Sequence, residues 1–209
     1  MVRIKICGIT NLDDAIMAVD YGADALGFMF YGGSKRYVSP KEAQTIISKL
    51  PPFVITVGVF VNQELDEIRN IQGQAEFDIV QLHGDESPDF CKSFGGRAIK
   101  AIRVKDNETL REVESYSAEA VLFDRHSNES YGGTGMSFDW EILRDFHTSK
   151  KVILSGGLSP ENVAHAIIIV NPYAVDVSSG VEEYPGKKSP EKLKRFIEAV
   201  RNGNEAKIT

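Results

Sequence analysis

Long apolar runs, cysteine pairs and surplus positive charge are all missing from this 209-residue chain, and each absence removes a class of function. No hydrophobic stretch approaches the roughly 20 residues needed to span a bilayer, which excludes a helical membrane protein and leaves no membrane partner to expect. Only two cysteines are present, Cys7 and Cys91, too few for a disulfide framework. Lys and Arg number 24 against 30 Asp and Glu, a formal net charge of −6. Nucleic-acid binding wants a basic face, so no nucleic acid is expected as a partner. No strand-like run leads into G-x-G-x-x-G, so there is no dinucleotide fingerprint and no cofactor is expected. His83 has no second His or Cys at ligand spacing, which speaks against a metal site. The first residues enter a strand pattern directly (VRIKIC, 2–7), with neither a charged nor an apolar leader region, so a cytoplasmic location is expected.

Present instead is an eightfold alternation. Strand-like runs occur at 3–7, 25–30, 54–60, 78–83, 98–104, 120–124, 151–155 and 174–178, with helical patterns between them. Ser39-Pro40-Lys41-Glu42 reads as a capping box with Pro at the first helical position, and Ser159-Pro160-Glu161 and Ser189-Pro190-Glu191 repeat the Ser-Pro start. Strands alternating with helices pair in parallel through helical crossovers. The expected fold is α/β, a single-domain (β/α)8 TIM barrel over residues 1–202, with 203–209 a frayed, flexible tail. Eight units average about 26 residues each, tight for a barrel whose usual length is about 250. A doubly wound open sheet is the alternative, disfavoured by the missing glycine fingerprint and by the number of units.

Side chains alternate between the two faces of a strand. Lys5 and Cys7 therefore share a face opposite Ile4 and Ile6; Gln81 and His83 lie opposite Val80 and Leu82; Asp124 lies opposite Phe123; and Asp176 and Ser178 lie opposite Val175 and Val177. Polar parity thus recurs at the C-terminal ends of strands 1, 4, 6 and 8. In a barrel these ends converge on one mouth, where active sites of the fold lie.

Two turns near the end of the chain identify a ligand class. VILSGGLSPENV (152–163) and YAVDVSSGVE (173–182) each run from a buried-type strand through a glycine-containing turn that can feed a helix start. Exposed backbone N–H groups and a positive dipole end suit an anion. Paired turns after strands 7 and 8 match the phosphate site of barrel enzymes, so Gly156, Gly157, Ser179 and Gly180 are the candidate phosphate contacts. A small phosphorylated metabolite is the expected partner.

Each remaining polar residue at the mouth has a structural and a chemical reading. Cys7 is either a small buried hydrophobe or a reactive thiol, with Lys5 on its face favouring the thiolate. Cys91, inside a helical pattern, reads as filler. Asp124 either caps a turn or serves as an acid opposite Cys7, giving a donor and an acceptor for different substrate atoms. His83 reads as a base, a ligand or a satisfied polar group, with Gln81 beside it as a substrate-binding candidate. Arg36 is either a solvated loop cation or a bidentate carboxylate binder. Asp176 braces the phosphate loop or touches substrate, and ranks behind Asp124 as an acid. Gly132-Gly133-Thr134-Gly135 reads as a mobile lid.

The motifs KICGIT (5–10), ADALGFMFYGGSKRYVSP (23–40), VGVFVN (57–62), VQLHGDE (80–86), YGGTGMSFDW (131–140), LSGGLSPENV (154–163) and AVDVSSGVEEYPGKK (174–188) occur together and in this order. Over essentially its whole length the chain resembles the phosphoribosylanthranilate isomerases of tryptophan biosynthesis. The resemblance implies Cys7 as general base, Asp124 as general acid and Arg36 as the holder of the anthranilate carboxylate. It also implies a phosphate held by backbone around Gly156-Gly157 and Ser179-Gly180, and an Amadori rearrangement needing neither cofactor nor metal. The chain departs from the family pattern at Gly32-Gly33, where relatives often carry Pro-Lys, and at Met136, where a polar residue is common. Rival readings are a related phosphosugar isomerase or lyase and a non-catalytic phosphometabolite-binding barrel. The histidine-pathway isomerase is the nearest rival, but it uses two aspartates where strand 1 here ends in Cys7. A monomer and a homodimer fit the sequence equally.

Overall fold

The computed structural model describes residues 1–125 and 139–205. Eight strands, β1 (Arg3–Cys7), β2 (Ala25–Met29), β3 (Ile55–Phe60), β4 (Ile79–Leu82), β5 (Gly96–Val104), β6 (Ala118–Arg125), β7 (Lys151–Leu154) and β8 (Ala174–Val177), each pair with the next, and β8 returns to β1. All eight pairings are parallel. Closure of β8 on β1, with Lys5 in register with Asp176, rules out the open doubly wound sheet.

Among the described residues, seven α-helices lie outside the strands: α1 (Leu12–Tyr21), α2 (Pro40–Ile47), α3 (Leu65–Ala75), α4 (Pro88–Lys92), α5 (Asn107–Arg111), α6 (Val163–Val170) and α7 (Pro190–Glu205). The short chain closes a full barrel because α4 and α5 are five residues each. Among the described residues after β6, the connection holds a 3₁₀ turn, Trp140–Leu143.

Local chemistry explains most helix starts. At α2 the Ser39 hydroxyl accepts from the Glu42 amide (3.3 Å) while the Glu42 carboxylate accepts from the Ser39 amide (2.9 Å), a reciprocal cap that stabilises a helix by about 1 kcal/mol. The expected start at Ser159-Pro160 is displaced. Asn162 accepts from the Ser159 amide (2.8 Å) and donates to the Gly157 carbonyl (2.9 Å), so a turn intervenes and α6 begins only at Val163. Helix α7 continues to Glu205, beyond the boundary expected at 202. Gly203 makes this possible, because a Cβ there would lie 3.2 Å from the Ala164 Cα and so the two helices touch backbone to backbone.

Two apolar layers hold the barrel. The larger fills the space between sheet and helices and includes Ile4, Ile6, Leu26, Phe28, Phe60, Phe123, Val175 and Phe196. The smaller plugs the barrel interior with Val57, Ile99, Ala101, Ala120, Leu122, Ile153 and Ala174. Fully burying an aliphatic or aromatic side chain contributes roughly 1.5–3 kcal/mol, enough over these layers to fix the strand faces. The interior polar side chains Lys5, Gln81 and Asp176 lie on the same faces as this plug and nearer the C-terminal ends of their strands. After β8, a 3₁₀ turn (Ser179–Val181) leads into a small antiparallel hairpin, β9 (Glu182–Tyr184) and β10 (Lys187–Lys188). The Thr10 hydroxyl donates to the hairpin's Gly186 carbonyl (2.6 Å), tying it to the loop after β1.

Candidate active site

The alternation expected from the sequence brings the polar strand ends together. At the ends of β4 and β6, His83 Nε2 lies 3.1 Å from Asp124 Oδ2, and Gln81 Nε2 lies 2.9 Å from His83 Nδ1. All three are buried. Because the Gln81 amide donates to Nδ1, a neutral His83 carries its proton on Nε2 and presents it to Asp124. The other carboxylate oxygen of Asp124 accepts from the Arg125 amide (2.7 Å), so the acid is held at both oxygens. Gln81 and His83 thus form a buried relay of contacts that ends on the Asp124 carboxylate.

At β1 and β8 the Lys5 ammonium lies 2.8 Å from Asp176 Oδ1, with the Cys7 thiol near it beside Gly27. Burial tends to discharge Lys5, yet the Asp176 carboxylate and the thiol raise its pKa overall. For Cys7 the balance falls the other way from the sequence expectation. Burial pushes the thiol above its ordinary range, and Asp176 adds to this, outweighing the pull of Lys5 and Lys188 toward thiolate. Asp176 also approaches the Ser155 hydroxyl (3.4 Å). Its carboxylate is thus engaged inside the barrel by Lys5 and by Ser155, the residue just before the Gly156-Gly157 turn. Cys91 is buried in the outer core, its thiol pushed up to about 11 by burial, consistent with a filler role.

Arg36 reaches the mouth from the loop after β2. It crosses directly over Gly8, where a Cβ would meet Arg36 Cδ at 2.6 Å and where φ is +76°, so only glycine fits. Its guanidinium clasps Glu182, with Nε 2.9 and 3.1 Å from the two carboxylate oxygens and Nη2 2.7 Å from one of them. Glu182 also accepts from the fully buried Lys188 (2.9 Å), whose ammonium donates to the carbonyls of Cys7 (2.6 Å) and Ser178 (3.3 Å). Sequence reading missed Glu182 and Lys188. Their only signal was a charged pair within VEEYPGKK, which reads as a solvated loop until the hairpin folds it inward.

Gly156 and Gly157 turn the chain after β7 with φ of +80° and +75°. Gly180, in the turn after β8, packs onto the Leu158 carbonyl so closely that a Cβ there would lie 1.9 Å from that oxygen. The two turns thus form one continuous surface. Among the described residues, the amides of Gly156, Gly157, Ser179 and Gly180 donate to no turn or loop carbonyl. Neither turn runs straight into a long helix, contrary to the sequence expectation: Ser159–Asn162 precede α6, and the hairpin precedes α7. What this surface offers is turn amides and not a helix dipole. The expected lid at 132–135, like Met136, lies outside the described residues.

A family model described as N-(5′-phosphoribosyl)anthranilate (PRA) isomerase matches residues 4–199. The chain belongs to this isomerase family. It is 51% identical over 197 residues to an N-(5′-phosphoribosyl)anthranilate isomerase of Geobacter metallireducens, covering 94% of this chain and 98% of that protein. It is also similar to a crystal structure of a phosphoribosylanthranilate isomerase in complex with reduced 1-(o-carboxyphenylamino)-1-deoxyribulose 5-phosphate (TM-score 0.85, 44% identity, 97% of this chain and 100% of that one). A third match is a structure of monomers of the dimeric isomerase from Thermotoga maritima (TM-score 0.85, 42% identity, 97% and 100% coverage). The relatives are covered at nearly full length, so the family's enzyme class and its place in tryptophan biosynthesis apply to the whole chain. No helix among the described residues is long and apolar enough to cross a membrane.

Proposed function

We propose that Cys7 and Asp124 divide the isomerisation of N-(5′-phosphoribosyl)anthranilate to 1-(2-carboxyphenylamino)-1-deoxyribulose 5-phosphate between them. Asp124, steered by His83, protonates the furanose ring oxygen, and the ring opens to a protonated imine. Cys7, as thiolate, removes the C2′ proton to give an enolamine. Tautomerisation then adds a proton at C1′ and removes one from the C2′ hydroxyl, leaving the aminoketose. Acid and base each contribute about 10²–10⁴ in rate. The observation that carries this reading is the meeting of a thiol and a held carboxylate at one barrel mouth, from strand ends β1 and β6, beside paired phosphate-type turns.

The rest of the mouth binds. Backbone amides of Gly156, Gly157, Ser179 and Gly180 receive the phosphate, and Arg36 receives the anthranilate carboxylate. Anchors at both ends of the substrate fix the reacting carbons between acid and base, so binding energy remote from the chemistry serves the rate. The test is turnover of freshly made phosphoribosylanthranilate, followed by loss of anthranilate fluorescence. Steady turnover that collapses in Cys7→Ala and Asp124→Asn supports the roles; an inactive wild-type enzyme overturns them. We further propose a cytoplasmic enzyme, either monomeric or homodimeric like the Thermotoga maritima relative, a choice that light scattering of the purified protein decides.

A further inference from the structure

Arg36 has two edges on which a planar carboxylate can dock, one formed by Nε and Nη2 and the other by Nη1 and Nη2. Glu182 fills the first, taking Nε and Nη2 with both its oxygens. Only the second edge is left for a ligand. Glu182 is itself fixed, because it is buried and its Oε1 accepts from Lys188, a side chain with no solvent exposure. Lys188 in turn holds the carbonyl of Cys7 at 2.6 Å. A continuous chain of charge-assisted bonds therefore runs from the guanidinium through Glu182 and Lys188 to the backbone of the proposed base.

Charge as well as geometry favours a positioning role. A lone Glu182 would neutralise Arg36 and weaken its attraction for an anion. Lys188 brings a second cation to the group: burial draws its pKa below the ordinary lysine range and Glu182 pulls it back up, while Arg36 and Lys188 lower the pKa of Glu182 despite its burial. The carboxylate can then hold the arginine's orientation without erasing the site's positive potential. Inside the hairpin Glu182 also accepts from the Gly186 amide (3.3 Å), a structural contact whose loss would not depend on Arg36.

We propose that Glu182 is a positioning residue for substrate recognition: it presents the Nη1–Nη2 edge of Arg36 to the anthranilate carboxylate and, through Lys188, ties that edge to the end of β1 that carries Cys7. This rests on the reading of Arg36 as the carboxylate receptor. The specificity it confers is for an ortho-carboxylate on the aromatic ring at a set distance from the reacting sugar carbons.

A double-mutant cycle of Glu182→Gln with Arg36→Met tests it, because coupling through one partner makes losses non-additive. Gln keeps the length and one acceptor oxygen but cannot hold two cations. Glu182→Gln alone should lower kcat/KM for phosphoribosylanthranilate by about tenfold, a typical size for a broken charge-assisted contact. In the Arg36→Met background the same change should cost less than about twofold, since no guanidinium remains to aim. Inhibition by inorganic phosphate, which probes only the glycine turns, should be unchanged in Glu182→Gln. Equal losses in both backgrounds, or none in either, would overturn the proposal, the first pointing to a purely structural hairpin. If Glu182→Gln fails to fold because Lys188 is left unpaired, Glu182→Gln/Lys188→Met is compared with Lys188→Met in both Arg36 backgrounds and judged by the same criterion. A wild-type enzyme inactive on phosphoribosylanthranilate would overturn the reading of the site, and the positioning role with it.

Discussion

His83 Nε2 stands 3.1 Å from Asp124 Oδ2, across the gap between the ends of β4 and β6. The two residues are 41 positions apart in sequence, and each is held from behind, His83 by the Gln81 amide and Asp124 by the Arg125 amide. In the proposed role of Asp124 as acid, the proton needs a fixed direction, and this pairing supplies it.

Replacing His83 with Asn should therefore lower kcat far more than it raises KM. Hydrogen bonds to charged groups contribute about 1.5–3 kcal/mol, which corresponds to a loss of roughly ten- to a hundredfold in kcat. Steady-state kinetics check this. A large rise in KM with kcat preserved would return His83 to the substrate-binding role that the sequence suggested.

Gly180 offers a steric test of the phosphate turns. A methyl group there would sit 1.9 Å from the Leu158 carbonyl oxygen, so Gly180→Ala must push the two turns apart. Inhibition by inorganic phosphate should weaken by at least about tenfold, the loss of one hydrogen bond to a charged group, while the remote acid–base residues stay in place. In crystals, a phosphate should contact the Gly157 and Gly180 amides. An anion held only by Lys187 and its neighbours, with phosphate inhibition unaltered in Gly180→Ala, would move the site elsewhere.

Acid stability should report the buried group around Glu182. Its folded-state pKa is lowered: burial works against the charge, but Arg36 and Lys188 more than compensate. A carboxylate with a depressed folded pKa adds stability that is present above its unfolded value, about 4.3, and is lost as pH falls through the folded value. The gap in melting temperature between wild type and Glu182→Gln should be widest near pH 6–7 and shrink below about pH 4. Thermal melts across that range measure it, and a gap independent of pH would show that the charge is not what stabilises the pair.

How much of this was legible in the sequence follows from the range of each interaction. The strands could be read because a buried parallel strand is largely apolar on both faces, so that buried polar residues such as Lys5, Gln81, Asp124 and Asp176 stand out, as do Thr56 and Lys100. The start of α2 was legible because its cap is completed within four residues. The start of α6 was not: Ser159-Pro160 carries the same signal, but Asn162 captures the Ser159 amide and delays the helix. Arg36 could be named as a candidate, while its partner Glu182, 146 positions away, depends on a hairpin whose placement is set by tertiary contacts. The thiol of Cys7 was misjudged for a similar reason. Lys5 was visible two residues away, whereas the depth of burial and the opposing Asp176 were visible only in the closed barrel.

That correction sets the last prediction. A base must be deprotonated to act, so activity rises with pH through the titration of its conjugate acid. With the Cys7 thiol held above its ordinary range by burial, kcat/KM should climb on an alkaline limb. Lys5→Met removes a cation that favours the thiolate and should move that limb to still higher pH. Asp124→Asn and Cys7→Ala should each lose about 10²–10⁴ in kcat, and Cys7→Ala should also abolish the limb. Binding of the reduced product analogue should survive in both, because neither the phosphate turns nor Arg36 is touched. Retention of more than about a tenth of wild-type turnover by Cys7→Ala, well below the cost of losing a general base, would remove the thiol from that role. Asp176 would then be the next group to test, and Asp176→Asn would have to erase the same limb to take its place.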